Sequence, residues 1–135
     1  MFIDTSALMA LYLESDSRHR EAASVLAGLR GKKIPFMATS DIFDETVTLL
    51  RRWGGYARAV AAGEALRQSR VLAWVSVDDQ ARDQAWALFK EHKDVKLSFT
   101  DCTSAAIMKR FELEEVFTFD SDFREFGFKT VPGPK

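Results

Sequence analysis

Cysteine is almost absent from this sequence, which narrows the field at once. A single Cys102 cannot form an internal disulfide, and with only two histidines, His19 and His92, no Cys/His spacing suggests a zinc site. Proline and glycine are scarce, at three and seven residues, which excludes a collagen-like or Pro/Gly-rich disordered chain. No apolar run is long enough to cross a bilayer. The opening Met1-Phe2-Ile3-Asp4 lacks the basic and apolar regions of a signal peptide, so a cytoplasmic protein with no membrane partner is expected. No glycine-rich phosphate loop is present, which removes the P-loop and dinucleotide-binding readings. An excess of one charge is missing too. The net charge of −1 neither demands nor excludes nucleic acid, and phosphate affinity must come from local patches such as Lys32-Lys33, Arg51-Arg52 or Lys109-Arg110.

What the chain does have is apolar mass. Of 135 residues 47% are hydrophobic and eleven are Phe, enough for one packed domain spanning residues 1–135. No repeat, linker or low-complexity tract divides it. The apolar pattern alternates between short runs and longer helical periods, which predicts an α/β fold with a mostly parallel sheet. Phe2-Ile3 reads as a first strand ending at Asp4, followed by a helix over about 6–13. Ser17 is placed to cap a second helix that Gly31 ends. Pro35–Ala38 reads as a strand, and Ser40 or Asp41 as the cap of the next helix. Trp53-Gly54-Gly55-Tyr56 separates that helix from another ending near Ser69. Val71–Val77 is the clearest strand. A helix through Ala81, Ala85, Leu88 and Phe89 follows, then a loop over His92–Lys96. Thr100 opens a helix, Val116–Phe119 is a fourth strand ending at Asp120, and Phe128–Val131 a short fifth strand at an edge.

The acids fall at informative places in this pattern. Asp4 and Asp120 stand at the C-terminal ends of the first and fourth strands, the edge where open α/β sheets bind ligands. Glu45 lies in the first turns of the helix after the second strand, and so faces the same edge. Asp101 joins them if its own helix also starts there. Four converging carboxylates repel one another, so some stay protonated unless a cation compensates. A hard divalent ion, Mg²⁺ or Mn²⁺, does so with oxygen ligands and retained waters. It can also activate water and stabilise a leaving oxygen of a phosphodiester. The two histidines sit in polar surroundings far from these acids, so hydrolysis by metal-activated water is the economical mechanism.

Each acid taken alone has an ordinary alternative. Asp4 and Asp101 could be helix caps, Glu45 an exposed helix residue, and Asp120-Ser121-Asp122 an Asx-type turn. Asp41 and Asp44 read as favourable charges at a helix N-terminus. Cys102 reads as a small buried thiol, His19 and Arg20 as a solvated helix face, and Trp53, Trp74 and Trp86 as core or partner surface. The joint pattern favours function, because independent caps need not share one edge.

Four segments resemble a known family. Phe2-Ile3-Asp4-Thr5-Ser6, Ser40–Glu45 continuing into Leu49-Leu50, Leu97–Asp101 with Ala105-Ala106, and Thr118–Phe123 are similar to the acidic segments of PIN-domain nucleases, in order and across essentially the whole chain. The resemblance implies a three-layer α/β/α domain with a five-stranded parallel sheet in the order 3-2-1-4-5. It also implies an Mg²⁺- or Mn²⁺-dependent endoribonuclease whose metal ligands and catalytic residues are Asp4, Glu45, Asp101 and Asp120. Thr5 or Ser6, and Thr118, match small polar positions that orient carboxylates, and Asp122 matches an auxiliary acid. The small stand-alone form resembles the VapC-type toxins of toxin–antitoxin pairs, which implies an RNA substrate, a cognate antitoxin and a homodimer. Arg51 and Lys109 are the basic residues expected to hold RNA near the cleft. The Trp53–Tyr56 hinge is less typical of the family. Two other readings stand beside this one. A non-catalytic PIN-like scaffold would keep only a vestigial acid pocket, and a phosphotransfer receiver would need a lysine on a late strand, for which Lys129 is poorly placed.

Overall fold

The computed structural model describes residues 1–135. Five strands, β1 (Phe2–Ile3), β2 (Phe36–Thr39), β3 (Leu72–Val75), β4 (Glu115–Phe117) and β5 (Lys129–Val131), form one sheet. Its order is β3-β2-β1-β4-β5 and every pairing is parallel. The sheet is the one implied by the family resemblance. Phe2 pairs with Met37 on one side and Val116 on the other, so β1 is the central strand. Phe2, Ile3, Val116 and Phe117 are buried, as strands covered on both faces require.

Six helices connect the strands: α1 (Thr5–Tyr12), α2 (His19–Gly31), α3 (Ser40–Gly54), α4 (Tyr56–Gln68), α5 (Asp79–Glu91) and α6 (Phe99–Arg110). A 3₁₀ turn, Ser121–Phe126, lies between β4 and β5. The chain steps one way from β1 to β3 and the other way from β4 to β5. Right-handed crossovers then put α1–α4 on one face and α5, α6 and the 3₁₀ turn on the other. One core of Phe2, Leu8, Ile42, Ile107, Met108, Phe117, Phe123 and their neighbours fills the space between layers. No helix is long and apolar enough to cross a membrane.

Several expected boundaries move by a residue or two, each for a visible reason. Thr39, not Ser40 or Asp41, caps α3, because its hydroxyl accepts from the Ile42 N–H at 3.2 Å. Ser98, not Thr100, caps α6, and Asp101 closes a capping box with it. Ser17 caps nothing. The residue before α2 is Arg18, which makes no side-chain cap, and the Asp16 carboxylate takes the Arg18 N–H instead. Gly31 is the last helical residue of α2, and the left-handed turn after it falls on Lys33 (φ 56°). The strand expected over Val71–Val77 keeps only Leu72–Val75, since β3 is an edge strand with β2 as its one neighbour. β4 stops at Phe117, so Asp120 stands three residues beyond it as the cap of the 3₁₀ turn. Gly55 (φ 90°) does break α3 from α4, and its N–H returns to the Arg51 carbonyl. His19 is less solvated than expected: its Nδ1 lies 2.7 Å from the Ala10 carbonyl oxygen.

Candidate active site

Asp4 is the centre of the strands' C-terminal edge. It is 4% exposed and caps α1, with Oδ2 accepting the Ser6 N–H at 3.3 Å. Two hydroxyls donate to the same oxygen, Ser6 Oγ at 2.9 Å and Thr118 Oγ1 at 2.8 Å. Each hydroxyl in turn accepts a backbone N–H from the segment after β4. Phe119 N donates to Ser6 and Asp120 N to Thr118. The Asp4 carboxylate is therefore locked through Oδ2, while Oδ1 receives no side-chain donor. Burial pushes its pKa upward, and the hydrogen bonds from Thr118 and Ser6 oppose that rise.

Asp101 sits in the first turn of α6, 9% exposed. Its Oδ2 accepts the Ser98 N–H at 2.9 Å while the Ser98 Oγ accepts the Asp101 N–H at 3.0 Å. Its pKa is pushed up to about 7, first by burial and then by the negative charges of Asp4 and Asp120. Asp120 reaches this neighbourhood from the other side of β4, its Oδ1 accepting the Asp122 N–H at 2.9 Å. The Asp122 carboxyl is raised by burial first, then by the charges of Asp120 and Glu125.

The ordinary readings of three of the acids hold, and they do not separate those acids in space. Asp4, Asp101 and Asp120 are a helix cap, a capping-box acid and a turn acid, and they still share one edge closely enough for their charges to act on one another. Glu45 stands slightly apart. It is half-buried in the second turn of α3 and borders a recess of about 460 Å³ with Asp41, Asp44 and Thr100, the residue before Asp101. A further tie holds α3 to α6, where Thr103 Oγ1 donates to Asp41 at 3.0 Å. No three acids converge tightly enough to grip an ion unaided. The donor chemistry still fits a hard divalent cation that keeps part of its water shell: oxygen ligands only, a buried Asp4 whose Oδ1 takes no side-chain hydrogen bond, and Asp101 raised to about 7 by burial and by the charges of Asp4 and Asp120.

The remaining expected residues divide. Ser6 and Thr118 orient Asp4, whereas the Thr5 hydroxyl is buried without any partner. Lys109 is in the last turn of α6 and Asp101 in the first, about 12 Å apart at 1.5 Å per residue, so Lys109 points away from the acids. Arg51 is in the last turn of α3, its guanidinium 5.2 Å from the Tyr56 ring centroid. Helix direction explains both: helices that start at the acid edge end at the opposite one. The cations beside Asp120 and Thr118 are Arg18, Arg124 and Lys135, which line a polar groove of about 420 Å³ together with Glu21, the ion-pair partner of Arg18 and Lys135. Neither Arg18 nor Arg124 was legible as a site residue: Arg18 sits beside His19 and Arg20 in a polar stretch, and Arg124 lies between Asp122 and Glu125.

A PIN-domain family model matches residues 1–129. The chain belongs to the PIN-domain family. Within it, this PIN-domain protein is 37% identical over 132 residues to the 23S rRNA-specific endonuclease VapC20 of Mycobacterium tuberculosis, covering 97% of both chains. It is 29% identical over 125 residues to a VapC ribonuclease of Archaeoglobus fulgidus, covering 90% of this chain and 77% of that one. The crystal structure of Mycobacterium tuberculosis VapC20, described as a sarcin–ricin loop cleaving toxin, superposes with a TM-score of 0.86 at 35% identity, over 94% of this chain and 95% of that one. The PIN-domain protein is thus a nuclease of the VapC type, a hydrolase of phosphodiester bonds. PIN-domain VapC nucleases in general depend on a divalent metal.

Proposed function

We propose that this PIN-domain protein is the toxin of a VapBC-type toxin–antitoxin pair and cleaves RNA with Asp4, Glu45, Asp101 and Asp120 holding one or two Mg²⁺ or Mn²⁺ ions. One observation supports the site: Thr118 Oγ1 donates to the buried Asp4 at 2.8 Å and accepts the Asp120 N–H at 3.0 Å, which holds two of the four acids together beyond the ends of β1 and β4. When bound, a divalent ion would activate water and offset charge on the phosphate and the departing oxygen. Ser6 and Thr118 would keep the Asp4 carboxylate fixed while the substrate binds, and Asp122 would support Asp120. The likeness to an enzyme named as 23S rRNA-specific favours large ribosomal RNA as the substrate, and with it a cytoplasmic place of work. Pairing of two copies is favoured by exposed apolar side chains around the α3–α4 hinge, with Trp53 68% and Tyr56 66% exposed.

The test is cleavage of a synthetic sarcin–ricin stem–loop and of an unrelated RNA, each with Mg²⁺ or Mn²⁺ and with chelator. Metal-dependent cutting of the stem–loop that is lost in both Asp4→Asn and Asp101→Asn is the expected result. Full activity in both variants would end the assignment of the acids. Equal cutting of the two RNAs would end the assignment of the substrate.

A further inference from the structure

The polar groove beside Asp120 holds a guanidinium that no part of the fold uses up. Arg124, in the 3₁₀ turn, donates through Nε to Thr130 Oγ1 at 3.1 Å, and Thr130 is buried on β5. That bond fixes the plane of the side chain. Its two terminal nitrogens make no hydrogen bond or ion pair within the protein. Among the arginines, Arg124 is the one tethered through Nε, and two others are paired through their terminal nitrogens. Arg110 is committed to Asp78 through both of its terminal nitrogens, at 2.9 and 2.8 Å, and Arg18 meets Glu21 at 3.1 Å. A guanidinium tethered at Nε with its fork free is set up for a bidentate anion such as phosphate, and less freedom is lost on binding than for a mobile side chain.

The place of the groove says which anion. Thr118 and Asp120 belong both to the groove lining and to the acid edge: Thr118 donates to Asp4, and Asp120 acts on Asp101. Arg18 forms part of the groove wall and lies 5.4 Å from the Phe119 ring centroid, which restrains it there. A polyanion with one phosphate at the acids would leave the site past Asp120 and meet Arg124 next.

We propose that this groove is a subsite for the RNA backbone, with Arg124 gripping a phosphodiester that flanks the scissile one and Arg18 assisting. The assignment rests on the reading of the acids as the cleavage site. It replaces Arg51 and Lys109 as the RNA-holding cations by residues at the correct edge of the sheet. Arg124 touches substrate away from the bond that breaks, so it sets affinity and register and not the chemical step. Thr130 acts through Arg124 and is a positioning residue.

Binding is measured in the Asp101→Asn background, which holds RNA without cutting it, by fluorescence anisotropy of a labelled stem–loop across a KCl series. Arg124→Ala is expected to weaken binding about tenfold and to flatten the log–log salt slope by about 0.7–1, the signature of one lost phosphate contact. Arg124→Lys should keep the salt slope and recover only part of the affinity. Thr130→Val should weaken binding less than Arg124→Ala and leave the slope unchanged, because the charge remains. Lys32→Ala, at the opposite end of α2 from Arg18, should leave both unchanged. With Asp101 intact, Arg124→Ala should raise KM and leave kcat within about twofold. Unchanged affinity and slope in Arg124→Ala would overturn the proposal. So would an Arg124→Ala defect confined to an acidic peptide, which would assign the groove to a protein partner. Full cleavage by Asp101→Asn would instead overturn the acid site, while the binding arms still report on the groove.

Discussion

Thr118 donates a 2.8 Å hydrogen bond to Asp4 across 114 residues of chain, and through it the loop after β4 is tied to the start of α1. The hydroxyl also accepts the Asp120 N–H at 3.0 Å, so one small side chain sets the spacing of two acids. Thr118→Val keeps the shape but strands the Asp120 N–H and strips a donor from a buried carboxylate. A loss of about 1–3 kcal/mol in urea denaturation is expected, with a clear fall in cleavage rate, whereas Thr118→Ser should retain most of both. A fully active Thr118→Val would mean that Asp4 needs no such tether.

Ser98 offers the opposite separation of stability from chemistry. Its hydroxyl caps α6, but the hydrogen bond that holds the Asp101 carboxylate comes from the Ser98 backbone N–H. Ser98→Ala therefore loses a cap, costing about 1 kcal/mol, and keeps the bond that orients the acid. The urea midpoint should drop while cleavage below the transition stays close to wild type. Loss of activity without loss of stability would show that the hydroxyl serves catalysis directly.

Much of the fold was legible because period and punctuation agree along the chain. Apolar runs at Phe2-Ile3, Pro35–Ala38 and Val116–Phe119 are separated by helical periods and overlap β1, β2 and β4, and the Gly54-Gly55 break falls where the structure turns from α3 to α4. Caps were harder to read, because neighbouring residues such as Thr39, Ser40 and Asp41 can all cap, and only the backbone angle of Thr39 decides. Asp4, Asp101 and Asp120 were legible as neighbours through their common edge, while Glu45 borders a recess with Asp41, Asp44 and Thr100. Their partners were not legible. The Ser6–Thr118 arrangement needs β1 and β4 side by side, a long-range pairing for which local pattern carries no signal. The orientation of Lys109 and the reach of Arg124 depend on which way α6 and the 3₁₀ turn run against the sheet. For the same reason Thr5 and Ser6 were indistinguishable, although one hydroxyl is buried without a partner and the other holds Asp4.

Burial of Asp101, with the charges of Asp4 and Asp120 beside it, gives the metal-free protein an unusual pH dependence. Asp101 binds its proton more tightly in the folded state, at about 7, than an unfolded aspartate does, at about 4. Between those values the folded state keeps a proton that the unfolded chain has released. Its contribution to stability is full below pH ~4 and is lost as the pH rises towards 7. Asp4 shifts in the same direction through burial. Wild type in chelator should lose on the order of 3–4 kcal/mol between pH 4 and 8 from Asp101, read from denaturant midpoints across that range. The exposed Asp78, lowered to about 2 by its hydrogen bonds to Arg110, acts in reverse and only below pH ~4, where its support is lost as it protonates. Asp101→Asn should flatten the wild-type slope. An equal slope in wild type and variant would remove Asp101 as its source.

Added cation should reverse that loss, and the reversal discriminates a metal site from a vestigial acid pocket. A divalent ion binds the folded site and competes with the proton on Asp101, so its effect must be larger at pH 8 than at pH 5. At a hundred times its dissociation constant it stabilises the fold by about 2.7 kcal/mol, seen as a rise in Tm with Mn²⁺ concentration. Asp101→Asn removes the repulsion and, on the proposed site, a ligand as well. In chelator at pH 8 it should therefore melt above wild type, yet gain little from Mn²⁺. Asp4→Asn should lose the Mn²⁺ response too, because Asp4 is the buried acid whose Oδ1 has no side-chain donor. K⁺ at matched ionic strength controls for screening, since a monovalent ion screens the acids without the divalent charge that the site calls for. Wild type whose Tm ignores Mn²⁺ at pH 8 would leave the acids crowded with nothing to balance them, and the metal-dependent reading would fail.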